Sequence, residues 1–140
     1  MGTDSALPNS ALPNSADLEA LEVSTWGPYQ RIQPHAASLD FRNSDGLRQK
    51  FDAILQQINQ RPDIMLDLAM VNFMDSAGLS FLLSVKKLCE KAGGSFCLCN
   101  VHGYVQNLVQ LTNLNRVVTI YHTAEQALPH SEGDSPDGDA

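Results

Sequence analysis

Strand-like and helix-like apolar patterns alternate along residues 18–128, and this alternation limits the fold more than any other feature of the sequence. The apolar run Ile64–Met70 is typical of a strand in a covered sheet, whereas Leu47, Phe51 and Ile54 recur at helical spacing. Strands joined by helices are usually parallel neighbours. We therefore predict a single α/β domain with a mixed central sheet of about four to five strands and about four helices. The strands are expected at 18–24, 28–33, 64–70, 95–101 and 117–121, the helices at 47–58, 76–91 and 103–112, and a closing helical turn at 123–128.

The two ends of the chain differ in composition from this patterned region. Residues 1–17 contain the sequence Ser-Ala-Leu-Pro-Asn twice, and the repeated prolines with few apolar side chains predict a disordered leader. Residues 130–140 are rich in Ser, Gly, Pro and Asp, which predicts a disordered acidic tail. One folded domain is therefore expected at 18–129.

The charge and hydropathy of the chain exclude several classes of partner. The formal net charge is −7 and the few Lys and Arg residues are scattered, which argues against nucleic-acid binding. No apolar run approaches the roughly 20 residues that cross a bilayer, and the N-terminus does not resemble a signal peptide. We expect a soluble cytoplasmic protein that binds neither nucleic acid nor membrane.

The three cysteines, Cys89, Cys97 and Cys99, do not have the spacing of a zinc site or a disulfide framework. Cys97 and Cys99 lie two apart in a predicted strand, so their side chains point to the same face. We expect them to be buried as small apolar groups, and we predict neither a metal site nor a cofactor.

The segment Phe73–Leu79 places a hydroxyl, that of Ser76, at the predicted start of the second helix. Asp75 and Ser76 are residue types that accept hydrogen bonds from the first helical turn, and Gly78 lets another backbone approach closely. A capped helix explains this pattern. A phosphorylation site explains it equally well, because a helix N-terminus stabilises an anion.

Five segments follow one another within residues 31–128: Ser38-Leu39-Asp40, Asp63-Ile64-Met65-Leu66-Asp67-Leu68, Val71–Leu79, Lys91-Ala92-Gly93-Gly94 and Leu108–Val117. In this order they resemble a STAS domain of the bacterial anti-sigma factor antagonist family. Ile32-Gln33-Pro34, at the start of this region, most resembles cyanobacterial members. The resemblance implies the STAS fold and a regulatory binding module rather than an enzyme.

The resemblance also implies that Ser76 is phosphorylated. In the family, a GHKL-type serine kinase that also holds a sigma factor phosphorylates the Ser of an Asp-Ser-x-Gly-Leu motif. A PP2C-type phosphatase removes the phosphate, and the unphosphorylated domain captures the kinase and frees the sigma factor. Asp40 matches a family position that contributes an acidic group beside this Ser. Partner contact and an ordinary loop carboxylate both remain open for Asp40.

A stripe of small residues beside Ser76 is expected to form the surface on which a partner docks. Ala77, Ser80 and Ser84 recur at spacings of three and four, although solvated serines would give the same pattern. A phosphate in such a contact would be buried next to the Asp75 carboxylate. We therefore predict that Asp40, Asp75, Ala77, Gly78, Ser80 and Ser84 bind the partner. The other side of this helix, with Leu79, Leu82 and Leu83, is expected to face the core.

Two positions depart from the family pattern. Ala77 stands where many members have a second Ser or Thr, which removes a neighbouring hydroxyl but leaves the acceptor Ser76 intact. Trp26-Gly27-Pro28 stands where a plainer hairpin is expected. The identity of the partner is the property that this second difference puts most in doubt.

Three other functions compete with the phosphorylation switch. A phospho-aspartate receiver would use Asp67 at the end of a strand, but the acidic pair and Lys that hold magnesium and phosphate are missing. A hydrolase would pair Ser76 with His102 or His122, but no nucleophile elbow surrounds the serine. A STAS adaptor that is not phosphorylated, such as the soluble partner of a lipid-transport ATPase, is the remaining alternative.

Overall fold

The computed structural model describes residues 21–128, so the predicted leader at 1–17 and tail at 130–140 lie outside the described residues. The strands are β1 (Leu21–Trp26), β2 (Tyr29–Pro34), β3 (Ser38–Leu39), β4 (Asp63–Asp67), β5 (Phe73–Met74), β6 (Ser95–Cys99) and β7 (Thr119–Tyr121). The helices are α1 (Ser44–Gln56), α2 (Ser76–Lys91) and α3 (Gly103–Leu111), with short 3-10 turns at Leu114–Arg116 and Glu125–Ala127.

The main sheet has five strands in the order β1-β2-β4-β6-β7. β1 and β2 form an antiparallel hairpin, and all the other neighbours in this sheet are parallel. The parallel pairs arise because α1, α2 and α3 each lie between two strands in the sequence. The prediction of an α/β domain with a mixed sheet is therefore confirmed.

One face of the main sheet is covered by the three α-helices. Ile64 and Leu66 from β4 are fully buried against helical side chains such as Phe51 and Leu82. Successive residues of a strand point to opposite faces, so each central strand also presents a second set of side chains to the other side.

The second face is covered by residues 122–128, which cross it after β7. Cys97 and Cys99 are buried there beside Met65. Trp26 Nε1 donates a hydrogen bond to the carbonyl oxygen of Ala124 over 2.9 Å, so the hairpin helps to fix this covering segment. All three cysteines are buried, as predicted for Cys97 and Cys99, and burial raises the pKa of the Cys97 thiol to about 11.

The hairpin that departs from the family pattern has a local explanation. Trp26 and Tyr29 are paired, so Gly27 and Pro28 form a two-residue turn, and Gly27 has a φ of +57°. A glycine at the first turn position is typical of the type II′ turn, whose twist suits a hairpin. This tight turn places Trp26 and Tyr29 over the second face, where Tyr29 also donates to the Ala127 carbonyl oxygen.

One sequence prediction about the helices is wrong in detail. Leu83 is 39% exposed because it follows the buried Leu82 by one position, and neighbouring helical residues point about 100° apart. The closing helical turn predicted at 123–128 is present as the 3-10 turn Glu125–Ala127, so the described residues contain three α-helices and this turn. Leu128 is extended there, as expected for the residue before Pro129, and this conformation prevents the helix from continuing.

Candidate functional site

Ser76 is the first residue of α2, and its side chain is exposed. Asp75 is the N-cap residue, with extended backbone, and its Oδ1 accepts a hydrogen bond from the Gly78 amide over 3.0 Å. The predicted cap is thus present, and Asp75 rather than Ser76 provides it. The Ser76 hydroxyl therefore lies at the positive end of the helix dipole without serving as its cap.

A small second sheet holds the start of α2 next to the loop that precedes α1. Strands β3 and β5 pair in parallel, with Leu39 opposite Met74. The carbonyl oxygen of Leu39 would lie only 2.2 Å from a Cβ placed on Gly78. Glycine is therefore required at position 78 so that helix and loop can approach this closely.

Asp75 joins this loop directly to α2. Its Oδ2 accepts a hydrogen bond from the Phe41 amide over 3.1 Å, while its Oδ1 caps the helix. The Asp75 amide also donates to the Leu39 carbonyl oxygen over 3.2 Å. One residue therefore fixes the position of Phe41 relative to Ser76.

The carboxylate of Asp40 organises the same loop from within. It is buried and accepts hydrogen bonds from Ser38 Oγ over 2.9 Å and from Arg42 Nη2 over 2.7 Å. These bonds, chiefly those from Arg42, lower the pKa of Asp40 to about 2. The neighbouring Asn43 donates through Nδ2 to the Ser38 carbonyl oxygen. The carboxylate has a clear structural role, and direct contact between Asp40 and a partner stays a prediction.

The predicted stripe of small residues lies along a shallow groove between α1 and α2. Ala77, Ser80 and Ser84 line one side, and Arg48 lies on the other, around a volume of about 250 Å³. Ser80 is exposed and lies one helical turn from Ser76. Gly78 is buried beneath the loop, so its established role is to pack the site. That these residues contact a partner stays a prediction.

Phe41 is the residue that sequence reasoning missed. Its side chain is 77% exposed, although its backbone is anchored by Asp75. The sequence signal that could have identified it is an aromatic residue outside the helical periodicity, between the charged residues Asp40 and Arg42. Exposed aromatic side chains in ordered loops are common anchors in protein interfaces.

An exposed aromatic pair lies at the strand that leads into α2. The rings of Phe73 in β5 and Tyr104 in α3 are stacked, with centroids 5.3 Å apart and an interplanar angle of 13°. Both side chains are exposed. Exposed aromatic side chains are therefore present at Phe41 and at Phe73, and Phe73 precedes Ser76 by three residues.

The residues of the competing functions are not assembled into a site. His102 and His122 border a separate depression beyond the ends of β4, β6 and β7, and Ser76 does not line it. His102 Nε2 lies 2.9 Å from the Ala69 carbonyl oxygen. Asp67 is fully buried and hydrogen-bonded to Arg31 and Asn100, which leaves no accessible carboxylate for a phosphoryl group.

Within the described residues 21–128, no group of three or more His, Cys, Asp and Glu side chains is placed to hold a metal ion. In the same part of the chain, no helix has the length and apolar character needed to span a bilayer.

Comparison with known proteins decides the family. The family model described as the STAS domain matches residues 32–127, well over half of the chain. The chain belongs to the STAS domain family. A relative within it, the anti-sigma F factor antagonist of Paenibacillus polymyxa, is 33% identical over 97 residues, covering 69% of this chain and 82% of the relative. The predicted resemblance to anti-sigma factor antagonists is confirmed.

Solved STAS structures show the same fold. A putative anti-sigma factor antagonist from Thermotoga maritima has a TM-score of 0.66 at 27% identity, covering 76% of this chain and 90% of that one. The anti-sigma factor antagonist SpoIIAA in its unphosphorylated form has a TM-score of 0.60 at 20% identity, covering 76% and 92% of the two chains. At that identity, the likeness to SpoIIAA concerns the fold alone.

Proposed function

We propose that this STAS protein is a cytoplasmic anti-sigma factor antagonist whose binding is switched by phosphorylation of Ser76. The observation that carries the proposal is the exposed hydroxyl at the start of α2, placed by Asp75 beside the displayed Phe41. The partner is an anti-sigma factor serine kinase of the GHKL type, and a PP2C-type phosphatase reverses the modification. The unphosphorylated chain captures the kinase, which releases its sigma factor.

The position of Ser76 explains how one phosphate can control binding without unfolding the domain. A phosphoserine adds roughly 1.5 to 2 negative charges at neutral pH, and the N-terminus of α2 stabilises that charge. Ser76 is also exposed, so the phosphate clashes with nothing in the unbound chain. The modified domain is therefore expected to keep its fold.

The phosphate is tolerated in the unbound chain but is unfavourable once a partner covers it. Burial of a doubly charged group without matched cations costs several kcal/mol, and the adjacent Asp75 carboxylate adds repulsion. Each 1.4 kcal/mol reduces affinity about tenfold, so a micromolar complex is lost. The expected contact surface consists of the loop at Asp40 and Phe41 together with Asp75, Ser76, Ala77, Ser80 and Ser84 on the α2 side, with Gly78 packed beneath.

The test has two arms. Intact-mass analysis of the protein from its native cells is expected to show one phosphate, mapped by peptide sequencing to Ser76. The kinase that copurifies is then titrated by calorimetry against the wild type, Ser76→Ala and Ser76→Asp. We expect wild-type affinity for Ser76→Ala and at least about a tenfold loss for Ser76→Asp.

The matched control is Asn107→Asp, which adds the same charge at an exposed position on α3, outside the proposed contact surface. We expect this variant to bind the kinase with wild-type affinity. Equal binding by Ser76→Ala and Ser76→Asp would remove Ser76 from the mechanism. Copurification of a lipid-transport ATPase instead of a kinase would favour an adaptor that is not phosphorylated.

A further inference from the structure

β1 is an edge strand of the main sheet. Its inner side pairs with β2 in unbroken register from Leu21, opposite Pro34, to Trp26, opposite Tyr29. Within residues 21–128, no strand pairs with its outer side. Edge strands usually carry a Pro, a bulge or charged side chains that hinder pairing with another chain. The strand β1, Leu-Glu-Val-Ser-Thr-Trp, has no Pro and no bulge, and its one charged side chain is that of Glu22.

The register fixes which backbone groups of β1 point outward. Trp26 and Tyr29 close a two-residue turn as a hydrogen-bonded pair, and such pairs alternate along an antiparallel ladder. Every second residue counted back from Trp26 therefore bonds inward to β2. The backbone N–H and C=O groups of Leu21, Val23 and Thr25 point away from the sheet.

This edge is complementary to itself. A two-fold axis through Val23, perpendicular to the sheet, places Val23 opposite Val23 of a second copy and Leu21 opposite Thr25. The outward groups then form three hydrogen-bonded pairs, with about six backbone hydrogen bonds. Glu22 faces Ser24 in this register, so no two carboxylates are opposed. Glu22 Oε1 also lies 2.6 Å from the ring Nε2 of His35 in its own chain.

An apolar groove runs beside the same edge on the helix-covered face. Val23, which is 43% exposed, borders it together with Ile54 and Ile58, around a volume of about 400 Å³. A perpendicular two-fold axis keeps the helices of both copies on one side, so the two grooves meet and both Val23 side chains become buried. The edge of β1 and the groove beside it therefore both favour a second copy of this chain as the binding partner.

We propose that the chain forms a symmetric dimer by antiparallel β1–β1 pairing, which joins two five-stranded sheets into one of ten strands. This contact uses neither Ser76 nor the Phe41 loop, so it leaves the partner surface of the proposed function open. A single strand pair with part of a groove is a small interface, typical of a weak dimer. The expected dissociation constant lies between about 1 and 100 µM.

Disulfide cross-linking of the full chain tests the register. Val23→Cys places two thiols opposite each other, at the roughly 5.5 Å Cα separation of a hydrogen-bonded pair, which a disulfide spans. Thr25→Cys is the matched control, because its counterpart lies four residues further along the second strand. The native cysteines are buried and do not compete. We expect rapid oxidation of Val23→Cys to a covalent dimer, with Thr25→Cys remaining monomeric on non-reducing gels.

Sedimentation equilibrium tests the association itself. Val23→Glu opposes two carboxylates across the axis and is expected to raise the dissociation constant at least about tenfold. Asn107→Glu adds the same charge at an exposed position on α3 and is expected to leave it unchanged. A wild-type protein that stays monomeric up to about 1 mM would overturn the proposal. Equal cross-linking by the two cysteine variants would do the same, since it would indicate another contact.

Discussion

Two aspartates at or just after the ends of consecutive strands of the sequence, in different sheets, have opposite surroundings. Asp67 at the end of β4 is fully buried and accepts hydrogen bonds from Arg31 Nε over 2.9 Å and from Asn100 Nδ2 over 3.0 Å. The carboxylate of Asp75, after β5, accepts hydrogen bonds from two backbone amides, and the neighbouring side chains of Ser76 and Phe41 are exposed. We call the surroundings of Asp67 the closed region, because its side chains bond to one another. We call the surroundings of Asp75 the open region, because the side chains of Ser76 and Phe41 are exposed there.

The difference separates a region that stabilises the fold from the region to which we assign the proposed partner contact. Burial disfavours the charged form of Asp67, but hydrogen bonds from Asn100, Arg31 and the Ala69 amide outweigh that cost and lower its pKa. Trp26 lies over the same ion pair, with the Arg31 guanidinium 5.1 Å from the centre of its ring. We therefore expect substitutions around Asp67 to change stability, and substitutions around Ser76 to change binding.

The largest expected effect is that of Asp67→Ala. Removal of one member of a buried ion pair leaves the Arg31 charge and the Asn100 amide without their acceptor, so we expect a loss of about 3 kcal/mol in the free energy of unfolding. Urea denaturation followed by circular dichroism measures this change. Arg61→Ala is the matched control, because it breaks an exposed ion pair with Asp63 and is expected to cost less than about 1 kcal/mol. Equal losses of unfolding free energy in the two variants would contradict the conclusion that the closed region around Asp67 stabilises the fold.

Gly78→Ala is expected to have the next largest effect, about 2 kcal/mol, and it tests the packing beneath the open region. The new Cβ would lie 2.2 Å from the Leu39 carbonyl oxygen and 2.5 Å from Met74 Cγ, so the loop must move away from α2. Gly46→Ala in α1 is the control, since its Cβ meets nothing within 4 Å. Alanine there is expected to stabilise the chain by up to about 1 kcal/mol. A Gly78→Ala variant as stable as wild type would show that the loop is not fixed against the helix.

The sequence predicts local features of both regions better than their long-range contacts. The bounds of α2 follow from residues close together in the chain: the cap Asp75 and the apolar positions Leu79 and Leu82. The display of Phe41 depends on a hydrogen bond to Asp75, 34 positions away, and no short-range pattern encodes that contact. The hydrogen bond from Trp26 to Ala124 spans 98 positions. The unusual turn at Gly27-Pro28 can be recognised in the sequence. Its role, which is to place Trp26 over the second face of the sheet, follows only from the structure.

Trp26→Phe is expected to have a smaller effect, about 1 kcal/mol, because it removes the hydrogen bond to Ala124 and weakens the contact with Arg31. The loss should be local, since it frees the segment that covers the second face of the sheet. Thiol labelling under native conditions is therefore expected to become faster at Cys97 and Cys99. Cys89, on the helix-covered face, is the internal control and should keep its rate. Equal acceleration at all three thiols would indicate global destabilisation rather than release of this segment.

Phe41→Ser is expected to have the smallest effect on stability, within about 0.5 kcal/mol, because the 77% exposed ring has little packing to lose. The same substitution is expected to weaken binding of the kinase at least about tenfold, since an ordered aromatic side chain beside Ser76 is a suitable interface anchor. Leu111→Ser is the matched control: its side chain is 81% exposed, but it lies at the C-terminal end of α3. Unfolding by urea and titration of the kinase by calorimetry measure the two quantities on the same samples. If Phe41→Ser and Leu111→Ser bind alike, the docking surface does not include the Phe41 loop. If Phe41→Ser instead unfolds the domain, the open region contributes to stability, and the contrast with Asp67 fails.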